Sequence, residues 1–181
     1  MNYADIKEID VQDGTGVRVS LYVSGCHFHC EGCHNQEAWD FNYGKKYNEE
    51  TEKYILEQLG NSYIAGLSIL GGEPLELVNQ KDLVNLVEKA KDMYPEKNIW
   101  CYTGYDFEKD VLGNMYKKFD CTQKLLDNID VIVDGRFEQE NKKVNLKFRG
   151  STNQRKIDVK RSLKENRMIQ LKFGDEEKYN I

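Results

Sequence analysis

No run of about 18 apolar residues occurs in this 181-residue chain, so no transmembrane helix is expected. The first ten residues lack a basic stretch followed by an apolar core, which argues against a secretory signal. Positive charge is not in excess. The 26 Lys and Arg stand against 31 Asp and Glu, a net of −5, and no general nucleic-acid footprint is expected. There is no internal repeat and no low-complexity segment. The five cysteines are odd in number and three are clustered, a poor disulfide framework that fits a reducing cytoplasm. What is left, 39% hydrophobic and 31% charged residues, is a globular balance with enough apolar side chains for one domain and a real core.

The organising stretch is Cys26-His27-Phe28-His29-Cys30-Glu31-Gly32-Cys33. Before it, Val17 to Ser24 is β-rich and alternating, so it reads as a strand, and Ser24-Gly25 breaks that strand. The three cysteines therefore sit in a tight loop at a strand's C-terminal end. No fourth cysteine stands at ligand spacing. Three thiolates can hold an iron–sulfur cluster with one iron left open to a ligand that is not protein. Two other readings stay open on spacing alone: a zinc knuckle with His34 as fourth ligand, and plain buried thiols.

Further along, residues 1–16 read as short and turn-rich, with Asp13-Gly14-Thr15-Gly16 a turn into the first strand. Residues 34–40 read as a brief helical turn or loop. Asn48 caps a helix whose apolar face is Tyr54, Ile55 and Leu59, ending at Gly60. A buried strand, Gly66 to Leu70, runs into Gly71-Gly72-Glu73-Pro74. A helix follows, with Leu83, Leu86, Val87, Ala90 and Tyr94 at helical spacing and Asn79 as its cap. Strands are expected at Ile99–Thr103 and Ile129–Val133, with helical segments at Phe107–Lys118 and around Leu125–Leu126. Residues 137–150 read as irregular. Strands alternating with helices predict an α/β fold with a mainly parallel sheet. At this length a partial barrel or open sheet is expected rather than a full eight-unit barrel. Every marked motif falls at the C-terminal end of its strand: the cysteine loop, Gly71 to Pro74, Thr103-Gly104-Tyr105 and Asp134-Gly135-Arg136. Sites of such folds are built there.

Two glycines at a strand end let backbone approach a ligand closely, and Glu73 suits a cation such as an ammonium. The spacing Cys26-x3-Cys30-x2-Cys33 resembles the signature of the radical S-adenosylmethionine enzymes, and Gly71-Gly72-Glu73-Pro74 resembles their motif for the methionine amino group. Trp100 to Tyr105, Val133 to Phe137, Arg149 to Gln154 and the opening from Met1 to Cys26 are similar to the activating components of the anaerobic ribonucleoside-triphosphate reductase. The resemblance covers about residues 1–158 as a core domain, in keeping with ordinary domain size, and leaves 159–181 as a C-terminal extension without an assigned role.

The resemblance implies a partial β/α barrel of the radical S-adenosylmethionine type. It implies that Cys26, Cys30 and Cys33 ligate a [4Fe-4S] cluster whose open iron takes S-adenosylmethionine. Backbone at Gly32, Cys33, His34, Gly71 and Gly72 would cradle that cofactor, with Glu73 near its ammonium. Reductive cleavage would give a 5′-deoxyadenosyl radical that makes a glycyl radical on the reductase catalytic subunit, with a flavodoxin- or ferredoxin-type electron donor. No side chain beyond the ligands is expected to act as a catalyst.

The remaining histidines and aromatics have quieter readings. His27, His29 and His34 are expected to support or face solvent rather than ligate, Phe28 to shield the cluster, and Cys101 and Cys121 to be structural thiols. Trp100 and Tyr102 fall on one side of their strand and Cys101 on the other. Asp134 and Arg136 suit either a ligand or a local ion pair. The basic run Arg155 to Arg167 reads as a solvated helix face, with a docking surface as the alternative.

Overall fold

The computed structural model describes residues 1–172 and 174–179. It is a mixed α/β chain built on one open seven-stranded sheet, in the order β3-β1-β2-β4-β5-β6-β7. The strands are β1 (Asn2–Asp10), β2 (Val17–Val23), β3 (Lys45–Lys46), β4 (Ile64–Gly71), β5 (Asn98–Tyr102), β6 (Val131–Asp134) and β7 (Arg155–Asp158). The central four, β2, β4, β5 and β6, run parallel. β1 and β7 flank them antiparallel, and the short β3 pairs with the start of β1.

The helices follow from apolar spacing. α1 (Glu49–Leu59) starts at Asn48, whose side chain accepts the Thr51 N–H. It buries Ile55, Leu56 and Leu59, whereas Tyr54 lies on the exposed side and reaches Glu8. α2 (Leu77–Met93) buries Leu83, Leu86, Val87 and Ala90. A π-helical run, Phe107–Met115, continues into the single turn α3 (Tyr116–Lys118). α4 (Asp120–Asn128) buries Leu125 and Leu126, and α5 (Val159–Glu165) follows β7.

Besides Tyr54, three expectations are corrected. Residues 2–10 are a strand, not a turn-rich lead-in. Its sequence is polar because only Asp10 of it is fully buried, and pairing with β2 is what reveals it. Asn79 is not a cap. α2 begins two residues earlier, and Asn79 is buried inside it. The basic run from Arg155 is not simply a solvated face. Arg155 bonds the buried Asp134 and Lys156 pairs with Glu176 at almost no exposure. Of the C-terminal extension 159–181, residues 173, 180 and 181 lie outside the described residues.

Strand alternation gives the sheet two faces. Val19, Leu21, Leu67, Ile69, Ile99, Cys101, Ile132 and Ile157 join the helices in the main core. Trp100, Val131 and Val133 point the other way and meet Leu171, Phe148 and Tyr179. On this second face lies Arg18, fully buried and, among the described residues, with no carboxylate bonded to it. All its hydrogen bonds go to neutral groups: Ser68 Oγ at 2.6 Å, Asn98 Oδ1 at 2.8 Å, and the Leu67, Thr15 and Asn98 carbonyls. Trp100 covers it at 5.4 Å. Burial lowers its pKa to about 10, which still leaves it charged at neutral pH.

Candidate functional site

The cysteine loop begins where β2 ends and is fixed by backbone bonds before any side chain is considered. The Ser24 N–H donates to the Asn2 carbonyl at 3.0 Å, Gly25 to Ala38 at 2.8 Å and Cys26 to Trp39 at 3.1 Å. Gly25 has φ +96°, and a Cβ there would fall 2.2 Å from the Phe41 ring, so only glycine fits. His29, without that freedom, is also left-handed at φ +46° and is held by stacking on Trp39, 4.5 Å between rings. Phe28 is held in turn. Its ring lies edge-on to Tyr105 at 4.7 Å, under the bare Gly104 and beneath the Arg136 guanidinium at 4.4 Å.

Cys26 is buried, and Cys30 and Cys33 are half-buried. All three line a cavity of about 550 Å³. The same cavity is lined by His34, Gly71, Gly72, Glu73, Thr103 and Gly104, so the loops that follow β2, β4 and β5 meet at one place. Gly32 is not brought to it; this residue turns at φ +71° against the Gln139 side chain. Among the described residues, no three His, Cys, Asp or Glu side chains stand close enough to hold one metal ion between them. His27 faces away, its Nδ1 2.8 Å from Glu76, and His34 lies 5.6 Å from the Phe137 ring.

Burial pushes the Cys26 thiol up to about 11, against the pull of the Phe28 and His29 N–H groups. Burial also raises Cys30, although the Phe137 N–H and the Arg136 charge act the other way. Both thiols are thus protonated in the metal-free protein, and any metal bound there displaces those protons.

The glycine turn is joined to the cysteine loop directly. The Gly72 N–H donates to the Val23 carbonyl at 2.7 Å and the Glu73 N–H to the Gly25 carbonyl at 2.8 Å. A Cβ on Gly72 would lie 2.6 Å from the Gly25 oxygen and 2.8 Å from the Ala38 oxygen. The absence of a side chain at 72 therefore serves the packing of one loop on the other. Asn79 completes the joint by donating to the Ser24 and Glu73 carbonyls, each at 3.0 Å. Nothing in the local sequence signals that role, because both partners lie in other loops.

Glu73 is buried to 1% exposure. Its carboxylate accepts from Leu75 N–H at 2.8 Å, Thr103 Oγ1 at 2.7 Å and Gly104 N–H at 2.7 Å. A carboxylate has about four acceptor positions, so one is left for a ligand. Glu73 is first of all a brace between the β4 and β5 loops.

The far end of the cavity was not singled out by motif. Gln12, Asp13, Tyr22 and Tyr102 line it. Asp13 accepts the Tyr22 hydroxyl at 2.8 Å and is pushed up to about 6 by burial. The Tyr102 hydroxyl is buried with no hydrogen-bond partner among the described residues. Strand alternation placed Tyr102 on this face; the turn at Asp13 gave no such hint.

Comparison with known proteins now bears on this geometry. A family model described as a 4Fe-4S single cluster domain matches residues 12–157. The chain is 40% identical over 156 residues to the anaerobic ribonucleoside-triphosphate reductase-activating protein of Vibrio cholerae, covering 85% of this chain and 96% of that one. Identity to the phage T4 protein of the same name is also 40%, over 86% and 92%. Identity to that of Escherichia coli K12 is 36%, over 85% and 96%. The chain belongs to the family of anaerobic ribonucleoside-triphosphate reductase-activating proteins. The family's iron–sulfur domain thus contains the whole cysteine loop and all four strand-end motifs, and its match stops inside β7.

In this activating-protein fold Glu73 makes a pH-dependent contribution to stability. Burial raises it to about 7 from an ordinary 4.5, with the three donors opposing and Glu76 assisting. The folded state therefore holds a proton that the unfolded state has released between those values. Stability from this group is complete below about pH 4.5 and is lost as pH rises through 7, by an amount on the order of 3 kcal/mol. Urea unfolding of the cofactor-free protein should show the midpoint falling between pH 5 and 8 more steeply than in Glu73→Gln. Equal slopes in the two proteins would remove Glu73 as the source.

Proposed function

We propose that this chain cleaves S-adenosylmethionine reductively and uses the product radical to install a glycyl radical on the catalytic subunit of the anaerobic ribonucleoside-triphosphate reductase. The single observation that carries the reading is the shared cavity. Three thiols from one loop and the glycine turn that is hydrogen-bonded to that loop line the same space. Family membership supplies the partner.

Cys26, Cys30 and Cys33 would hold a [4Fe-4S] cluster. Thiolates on separate irons need not converge on one point, as the four ligands of zinc must. When bound, the cluster would supply the chemistry of one-electron reduction: an electron from the external donor, passed to the sulfonium, would break its S–C5′ bond and leave methionine and the radical that takes a glycine α-hydrogen. The chain's own residues bind and exclude water. The Cys33, His34, Gly71 and Gly72 backbone faces the cofactor, joined by Gly32 if its turn shifts, and the last acceptor position of Glu73 points to the ammonium. Phe28, clamped between Gly104 and Arg136, keeps water from the thiols.

In this reading the open sheet is a partial barrel of the radical S-adenosylmethionine type, with residues 1–158 as its core and a flavodoxin- or ferredoxin-type donor in the cytoplasm. No described helix is long and apolar enough to cross a membrane.

The test begins with anaerobic loading of iron and sulfide, expected near four of each per chain. The reduced protein should then convert S-adenosylmethionine to methionine and 5′-deoxyadenosine. With the reductase catalytic subunit present, electron paramagnetic resonance should show a glycyl doublet. Cleavage without a doublet would move the reading to another glycyl-radical partner. A colourless protein with one zinc would end it.

A further inference from the structure

The segment after β7 lies outside the family match, which ends at Ile157, yet it is built into the sheet. After α5 the chain returns along β7: the Asp158 N–H donates to the Ile169 carbonyl at 2.9 Å and Leu171 N–H to Lys156 at 2.8 Å. It then crosses to the face that carries the cavity. There Leu171 is 4% exposed and Glu176 1%. Glu176 Oε1 accepts the Lys156 ammonium at 2.7 Å, and Lys178 bonds Asp158 at 2.6 Å. The Tyr179 carbonyl accepts Asn98 Nδ2 at 2.8 Å, and its ring meets Trp100 edge-on at 6.4 Å.

Both anchor points touch one further residue. Phe148 lies edge-on to Trp100 at 5.4 Å, on the same indole as Tyr179, and the Lys156 ammonium that Glu176 holds is 6.0 Å from the Phe148 ring. Phe148 lines the cavity beside Gly150 and Arg149. Its backbone is left-handed at φ +59°, a conformation that a non-glycine residue keeps only when its surroundings hold it. Leu171 and Tyr179 lie against Trp100 and do not line the cavity themselves.

We propose that residues 169–172 and 174–179 are a clasp that sets the position of Phe148 from behind, and through it the affinity of the cavity for the sulfonium cofactor. Glu176 and Tyr179 are then positioning residues that act through Lys156 and Trp100. The proposal rests on the functional reading above for the identity of the ligand, but not for the existence of the clasp.

The test uses the full chain in a Trp39→Phe background, which leaves Trp100 as the single tryptophan. Without cofactor, Glu176→Gln and Tyr179→Ala should each raise acrylamide quenching of Trp100, as should Phe148→Ala, and Tyr179→Phe should restore the parent value. After cluster loading, and with Trp39 restored because it lines the cavity and supports His29, Glu176→Gln and Tyr179→Ala should weaken S-adenosylmethionine binding about tenfold in equilibrium dialysis at unchanged iron content. Combining Glu176→Gln with Phe148→Ala should weaken it little further. Variants that only lower the melting temperature, with quenching and affinity as in the parent, overturn the clasp. So does raised quenching with unchanged affinity, or full additivity with Phe148→Ala. If the parent binds no S-adenosylmethionine, the functional reading fails on its own. The clasp is then judged by whether Glu176→Gln and Phe148→Ala are coupled in quenching, and independence there overturns it.

Discussion

Cys30→Ala is expected to abolish S-adenosylmethionine cleavage while leaving the fold in place. Cys30 is half-buried in a loop whose backbone is fixed elsewhere, by Ser24, Gly25 and Cys26. Removing its sulfur opens no core cavity, so the cofactor-free protein should unfold within about 0.5 kcal/mol of the parent. The chemistry should respond differently. Residues that act as a unit lose nearly the whole rate when one is taken away, so cleavage should fall at least about a thousandfold. Bound iron should fall with it. Cys121→Ala is the matched control, since this thiol lies at the start of α4 and outside the cavity. Cleavage retained in Cys30→Ala, or lost equally in Cys121→Ala, would remove the ligand assignment.

Gly72→Val has the second large expected effect, and its cause differs from what the sequence suggests. Read alone, a Gly-Gly turn at a strand end is space for a ligand. In the fold, the space over Gly72 is already filled by the Gly25 and Ala38 carbonyl oxygens, at 2.6 and 2.8 Å from where a Cβ would stand. Both belong to backbone that cannot swing aside as a flexible side chain can. A branched residue must push the cysteine loop off the end of β4, breaking the 2.7 Å bond from Gly72 to Val23 and the 2.8 Å bond from Glu73 to Gly25. The loss should be about 3 kcal/mol or more in stability, with iron loading reduced along with cofactor binding. Chemical denaturation and iron analysis on the same preparation check it. A variant that loads iron normally and fails only to bind S-adenosylmethionine would show that the glycine serves the ligand after all.

These two residues mark where the sequence was readable. The cysteine loop is contiguous, and its spacing and preceding strand place it without any partner. The same holds for the parallel strands, whose apolar runs declare themselves, and for the Asn48 cap, whose partner is three residues away. What failed depends on distant contacts. β1 is a polar strand lying just inside the sheet's edge, and only pairing with β2 and β3 defines it. Tyr54 has an apolar ring at the right spacing, but α1 turns it toward Glu8. Asn79 has the composition of a cap, yet its amide joins two loops. Arg155 and Lys156 read as surface charge because Asp134 and Glu176 are not neighbours in the chain. Glu73 was legible as part of a strand-end motif, and the fold puts it on the cavity, but its brace was not legible, since Thr103 and Gly104 follow the next strand.

The joint between the cysteine loop and the glycine turn is made wholly of protein groups: Gly72 to Val23, Glu73 to Gly25, and Asn79 to both sides. Its consequence is one of maintenance. A mould that sets before casting can be emptied and filled again. In the reading proposed above, a receptacle held by such bonds would keep its fold when oxygen strips the inorganic core, and rearming it would call for iron, sulfide and reductant but no new synthesis of the chain.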